Sequence, residues 1–112
     1  MENVVICGAA RTPMGGFQGC FSDQTAADLG SVAISAALKQ AGADAAQVNE
    51  LLMGCVLPAG QGQAPARQAG FKAGLGQEVP ATTLNKMCGS GMKAAMIAHD
   101  QLALGGSDMI VA

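Results

Sequence analysis

The chain has no Trp and no Tyr, and its only aromatic residues are Phe17, Phe21 and Phe71 among 112. A core must therefore be assembled from Ala, Leu, Val, Ile and seven Met, and the smaller of these bury little area each. Charge is also scarce: 12% of residues are charged and the net charge is −2. No basic run is present, so an electrostatic nucleic-acid footprint is excluded. No stretch approaches the ~18 apolar residues of a membrane-spanning helix, and no membrane association is expected. Cys7, Cys20, Cys55 and Cys88 are widely spaced and contain no C-x-x-C pair. That is neither a zinc-ligand pattern nor a disulfide framework, so no metal is expected. Reduced thiols and the lack of an apolar signal segment point to the cytoplasm.

Half the residues are hydrophobic and sixteen are Gly. That composition is globular rather than disordered, with many turns and close backbone approaches. A chain of this length is one domain or part of one. Small domains are marginally stable, and small side chains aggravate this, so the fold is expected to lean on further protein surface.

Taken in order, Val4-Val5-Ile6-Cys7 is a continuous apolar run and predicts a buried strand of a parallel sheet. A Pro/Gly loop follows from Arg11 to Gly19, with Arg11 expected to hold a buried loop. Thr25-Ala26-Ala27-Asp28 has capping-box spacing with Asp in place of Glu. The helix it opens should bury a stripe of Leu29, Val32, Ala33, Ala36 and Ala37 and stop at Gly42. Val48 to Val56 predicts the next strand. Pro65 suits the first turn of a second helix, which Gly74 closes. A strand around Thr82 precedes Cys88, a third helix runs from Ser90 to Leu104, and Met109 to Ala112 opens a last strand. The order β-α-β-α-β-α-β with long links implies a parallel sheet with right-handed crossovers. The third helix is nearly apolar all round, as a buried helix is.

The chain is organised around Asn85-Lys86-Met87-Cys88-Gly89-Ser90-Gly91-Met92-Lys93. Strand, sharp turn, helix is the reading, with Cys88 on the turn. A cysteine at a helix start faces unpaired N–H groups and the positive end of the helix dipole, a setting that favours thiolate over thiol. Gly89 and Gly91 remove side chains beside the sulfur. Cys88 is therefore the candidate nucleophile. The bland alternative is a small buried thiol. Gly89-Ser90-Gly91-Met92-Lys93-Ala94 also fits the dinucleotide fingerprint. The acid at the required distance, Asp108, precedes an apolar run instead of ending one, which argues against a nucleotide site. The single histidine, His99, lies roughly 16 Å along the helix from Cys88, too far for direct proton transfer. Lys86 and Lys93 are near in sequence; solvent exposure is the simpler role for both.

The segment from Asn85 to Lys93 resembles the nucleophile segment of thiolases. Arg11-Thr12-Pro13-Met14-Gly15-Gly16-Phe17-Gln18-Gly19 is similar to that family's motif after the first strand. Met53-Gly54-Cys55-Val56-Leu57 and Gln61-Gly62-Gln63-Ala64-Pro65-Ala66-Arg67-Gln68-Ala69 resemble its second strand and second helix. The similarity runs from Val4 to Ala112 and covers only the beginning of the family's chain.

The resemblance implies an α/β fold: the N-terminal portion of a layered α-β-α-β-α architecture with a mainly parallel sheet and a buried nucleophile helix. Residues 1–112 would then be a partial N-terminal domain, with the C-terminal half absent. It implies an acyl-CoA acetyltransferase that works through an acyl-cysteine at Cys88, with acyl-CoA and CoA as substrates and no bound cofactor. The histidine base and a second, acid/base cysteine come in this family from the C-terminal half. Cys7, Cys20 and Cys55 do not match the second cysteine's motif. A homo-oligomer, a tetramer when complete, is implied as well. Two alternatives stand: a ketoacyl synthase-type condensing enzyme, and a non-catalytic scaffold domain with an inert Cys88.

Overall fold

Leu51 and Leu52, adjacent in sequence, are both buried, at 0% and 2% exposure. Successive side chains of a strand point to opposite faces, so a strand that buries both must be covered on both sides. It is: β1 (Glu50–Gly54) is the middle strand of a three-stranded sheet in the computed structural model, which describes Met1 and residues 3–112. On one side β1 pairs in parallel with β2 (Ala81–Leu84), in a register running from Leu51↔Ala81 to Gly54↔Leu84. On the other it pairs in parallel with β3 (Ile110–Val111), through Glu50↔Ile110 and Leu51↔Val111.

Helices α1 (Ala26–Ala41) and α2 (Pro65–Lys72) cover the Leu51 face. Ala27, Ile34 and Leu38 of α1 and Ala66 and Ala69 of α2 pack there with Val48, Leu75 and Val79. Helix α3 (Ser90–Ala103) covers the other face, setting Ala94 and Ala98 against Leu52. The crossovers explain this division. The chain steps from β1 outward to β2 through α2, then returns past β1 to β3 through α3. Two right-handed crossovers of opposite direction must lie on opposite faces of a sheet. The mixture of helices with a parallel sheet is the α/β architecture expected.

Local signals act as read. Asp28 completes the capping box: its N–H donates to Thr25 Oγ1 at 3.1 Å, and its carboxylate accepts from the Thr25 N–H at 2.9 Å. Gly42 ends α1 in the left-handed region at φ 66°, where a side chain would be strained. Pro65 opens α2, which stops at Ala73 just before Gly74.

Three expectations fail. Val4–Cys7 forms no strand, and Val5 and Ile6 are 74% and 89% exposed. A strand needs a hydrogen-bonding neighbour, and Val4–Cys7 pairs with none of the three strands. The buried stripe of α1 is also rotated. It runs through Ala27, Ile34 and Leu38, while Val32 and Ala36 face solvent. Ala contributes little to burial, so an Ala-rich helix is oriented by its largest side chains, here Ile34 and Leu38. The loop after residue 10 is not buried either: Arg11 is exposed, and its guanidinium reaches only the adjacent Thr12 carbonyl, at 3.4 Å.

Asp28 joins α1 to α2 through an ion pair with Lys72. Its carboxyl is held well below the ordinary 3.8, chiefly by the Lys72 ammonium and then by the Thr25 hydroxyl and N–H. Folding therefore favours the ionised form. The stabilisation is present above the unfolded pKa and is lost as pH falls through the lower folded one. Acid titrations of stability in the intact protein are expected to fall less steeply below about pH 4 for Asp28→Asn than for the parent; identical acid limbs would contradict the pairing.

The outer side of α3 leaves Met92 and Met96 exposed at 75% and 53%, and Phe17 and Leu57 are exposed as well. Apolar surface of this extent associates. Light scattering on the isolated 112 residues is expected to report self-association, and a monodisperse monomer with a sharp cooperative melt would contradict it.

Candidate functional site

The loops leaving the carboxyl ends of β1 and β2 are stitched together. The Cys55 N–H donates to the Leu84 carbonyl at 2.9 Å, and Asn85 Nδ2 donates to the Val56 carbonyl at 3.3 Å. In open α/β sheets this end of the strands is where ligands bind. From here the chain turns through Lys86-Met87-Cys88-Gly89 and enters α3 at Ser90.

The strained residue of the turn is Met87, with φ of 49°. Such a conformation persists in a non-glycine residue only when its surroundings hold it. Here both of its polar groups are held. Its N–H donates to Asn85 Oδ1 at 2.9 Å. Its carbonyl accepts from the Ser90 hydroxyl at 2.6 Å and from the Ser90 N–H at 3.1 Å. Ser90 Oγ in turn accepts from the Lys86 N–H at 2.9 Å. The Gly89 N–H closes onto the Lys86 carbonyl at 3.0 Å.

Ser90 is a buried polar residue, 4% exposed. It is pressed against β1 at Gly54, where an added Cβ would stand 2.7 Å from Ser90 Cβ and 2.8 Å from the Gly91 nitrogen. Only glycine admits that approach. The first turn of α3 thus rests directly on the backbone of the central strand.

Cys88 is exposed on this turn, as its place between strand and helix predicts. It is not the buried thiol of the bland reading. Among the described residues no acceptor takes the N–H groups of Cys88, Gly91 or Met92. An added Cβ at Gly91 would meet nothing within 4 Å, so the approach to the helix terminus is open. The turn offers one exposed sulfur beside uncommitted backbone donors, an arrangement suited to attack on a carbonyl whose oxygen becomes negative.

The other candidates lie elsewhere. His99 is exposed along α3, with Nδ1 3.2 Å from Asp100 Oδ1. Cys7 and Cys20 are exposed and free; Cys55 is partly buried and free. Asp108 lies two residues before β3, and its N–H donates to Asn49 Oδ1 at 2.9 Å, so it stands at the wrong end of the strand for a ribose-binding acid. No three His, Cys, Asp or Glu side chains gather as metal ligands among the described residues. Sequence reasoning missed the structural parts of Asn85, Ser90 and Gly54. Asn two residues before a turn residue is a recognisable Asx signal; nothing in the sequence marks the contact of Gly54 with Ser90.

Known proteins resemble the chain along nearly its whole length. The family model described as the N-terminal domain of thiolase matches residues 4–112. The chain is 53% identical over its whole length to mitochondrial acetyl-CoA acetyltransferase B of Xenopus laevis, of which it covers 27%. It is 56% identical over 99% of its length to acetyl-CoA acetyltransferase 2 of Arabidopsis thaliana, covering 28% of that protein. An acetyl-CoA acetyltransferase from Syntrophomonas wolfei superposes on 92% of the chain and 26% of its own, with TM-score 0.88 and 36% identity. The Acat5 thiolase of Ascaris suum, solved with coenzyme A, gives TM-score 0.89 and 32% identity over 91% of this chain and 27% of that one. The chain therefore spans about a quarter of the length of these relatives. With the match extending over residues 4–112, the chain belongs to the thiolase family, to its N-terminal domain.

Proposed function

We propose that this chain supplies the nucleophile of an acyl-CoA acetyltransferase, an enzyme that interconverts two acetyl-CoA with acetoacetyl-CoA and CoA and cleaves 3-ketoacyl-CoA in the same way. The observation that carries the reading is the exposed Cys88 on a strand–turn–helix elbow, beside backbone N–H groups that have no acceptor among the described residues. The names of the relatives and the coenzyme A bound to the Ascaris suum thiolase support CoA thioesters as substrates.

In the thiolytic direction the Cys88 thiolate attacks the keto carbon. A C–S bond forms and the carbonyl electrons move to oxygen, where the Cys88 N–H donates to the oxyanion. Collapse breaks the bond between the keto carbon and its neighbour on the CoA side. The electron pair leaves with acetyl-CoA as an enolate, which takes a proton to give acetyl-CoA. The CoA thiolate then attacks the acyl-cysteine, the C–S bond to Cys88 breaks, and the thiolate returns. Sulfur suits this double displacement because Cys88 and CoA have similar leaving ability.

Acid/base groups must come from chain outside these 112 residues. His99 is committed to the far part of α3 beside Asp100. We assign the base to a histidine and the acid to a second cysteine beyond the described residues, on the family resemblance, and residues 1–112 to part of an N-terminal domain. On the family resemblance we assign a homo-oligomer, a tetramer in the complete protein; the exposed apolar side of α3 is surface that further protein can cover. No described helix is long and apolar enough to cross a membrane. The exposed free thiol calls for a reducing compartment, and we place the protein in the cytoplasm; the Xenopus laevis relatives carry "mitochondrial" in their names.

Labelled acetyl-CoA and peptide mapping by mass spectrometry test the assignment. The intact protein is expected to carry the label on Cys88 and to lose it in Cys88→Ser; label on Cys7, Cys20 or Cys55 would contradict it. The 112 residues alone are expected to show no turnover of acetoacetyl-CoA with CoA, since loss of a general base by itself removes about 10²–10⁴-fold of rate.

A further inference from the structure

We infer that Ser90 is a positioning residue for acyl transfer: its buried hydroxyl fixes the Met87–Cys88 peptide plane and so aims the Cys88 N–H at the oxygen that becomes negative. The inference rests on the proposed acyl-cysteine chemistry and adds to it the group that orients the donor.

The peptide between Met87 and Cys88 is trans, as are all described peptides. In a trans peptide the C=O and the next N–H point in opposite directions. The Met87 carbonyl is drawn toward the start of α3 by two donors of one residue, the Ser90 hydroxyl at 2.6 Å and the Ser90 N–H at 3.1 Å. The Cys88 N–H must then point the other way, out of the turn, where no described residue accepts from it. Ser90 itself has little freedom. It is 4% exposed, backed by Gly54 of β1 at a spacing that leaves no room for a Cβ. Its oxygen is further held by the Lys86 N–H at 2.9 Å.

One hydroxyl therefore spans the turn, accepting from the residue before Met87 and donating to Met87 itself. Without it, the Met87 carbonyl keeps one donor and the Lys86 N–H loses its side-chain acceptor. Each lost bond removes net stabilisation on the scale of the strain at Met87, and the turn is expected to relax. The sulfur would remain exposed, but its N–H would lose its fixed aim. Preorganised aim is what makes an oxyanion donor effective.

Two reactions of the same sulfur separate aim from mere shape. Acetylation by acetyl-CoA forms a C–S bond to Cys88, passes through an oxyanion and expels the CoA thiolate. Alkylation by iodoacetamide displaces iodide from a saturated carbon and forms no oxyanion. Both rates are measured at Cys88 by peptide mapping in the intact protein. In Ser90→Ala the acetylation rate is expected to fall roughly tenfold, less than the ~10²–10³ of deleting an oxyanion donor outright, with the alkylation rate unchanged. Ser90→Cys keeps the size and replaces the hydroxyl by a weak donor. It is expected to show the same split, and covers the case in which Ser90→Ala does not fold. Acetylation equal to the parent in Ser90→Cys, or equal loss of both rates in either variant, would overturn the inference alone. A parent protein whose Cys88 alkylates but takes no acetyl group would overturn the proposed function and this inference with it.

Discussion

Met87 sits at φ 49°, a conformation L-residues adopt at a cost, and two neighbouring side chains hold it there from both ends. Strain of this kind is of order 1–3 kcal/mol, comparable to one or two net hydrogen bonds. Asn85 and Ser90 together supply two side-chain bonds to the residue, so the turn is balanced at the scale on which it was strained. Everything functional follows from that balance. The sharp reversal after β2 lets α3 begin immediately, and it leaves Cys88 on the outside of the bend. The balance in turn depends on Gly54, because Ser90 reaches its bonding position only where β1 carries no Cβ. A glycine in the central strand, a serine at the helix start and an asparagine after the next strand thus form one mechanical unit around a residue that does no chemistry.

Much of this architecture was legible from local signals. Thr25 and Asp28 announced their helix through a capping box, and Gly42 its end, because both depend on bonds made within a few residues. Cys88 could be placed on its turn because a strand pattern, a glycine-rich break and an Ala-rich run are read in order along the chain. What escaped depends on partners distant in sequence. Val4–Cys7 has the composition of a strand, but strand formation is decided by a neighbour, and it pairs with none of the three strands. The buried face of α1 was misjudged because the alanines at many positions make several stripes look alike. Ile34 and Leu38 decide it against Leu51 and α2. In the sequence Ser90 is marked only as the start of the third helix, and its role appears only when Gly54, 36 positions earlier in the sequence, is seen beneath it.

The site is one-sided. Sulfur and backbone donors are in place, while the imidazole of His99 is turned to solvent beside Asp100 and takes no part. The same side of the molecule carries exposed Met92, Met87 and Leu57, apolar groups next to the reactive turn. Their exposure suits a surface completed by further protein, which would also exclude water from the oxyanion position and strengthen its hydrogen bonds. Under the proposed function, nucleophile and surroundings are separable: the elbow is built by local bonds and one sheet contact, and the acid/base chemistry would be brought to it.

The central claim is that side chains, not helix bonds, hold the turn, and that they leave the Cys88 N–H free. Residue-resolved amide hydrogen exchange of the intact protein measures this directly. The amides of Lys86 and Met87, on an exposed turn but bonded to Ser90 Oγ and Asn85 Oδ1, are expected to exchange slowly. The Cys88 amide between the turn and the helix is expected to exchange fast. A Cys88 amide as protected as that of Met87, or Lys86 and Met87 amides exchanging as freely as Cys88, would contradict the account.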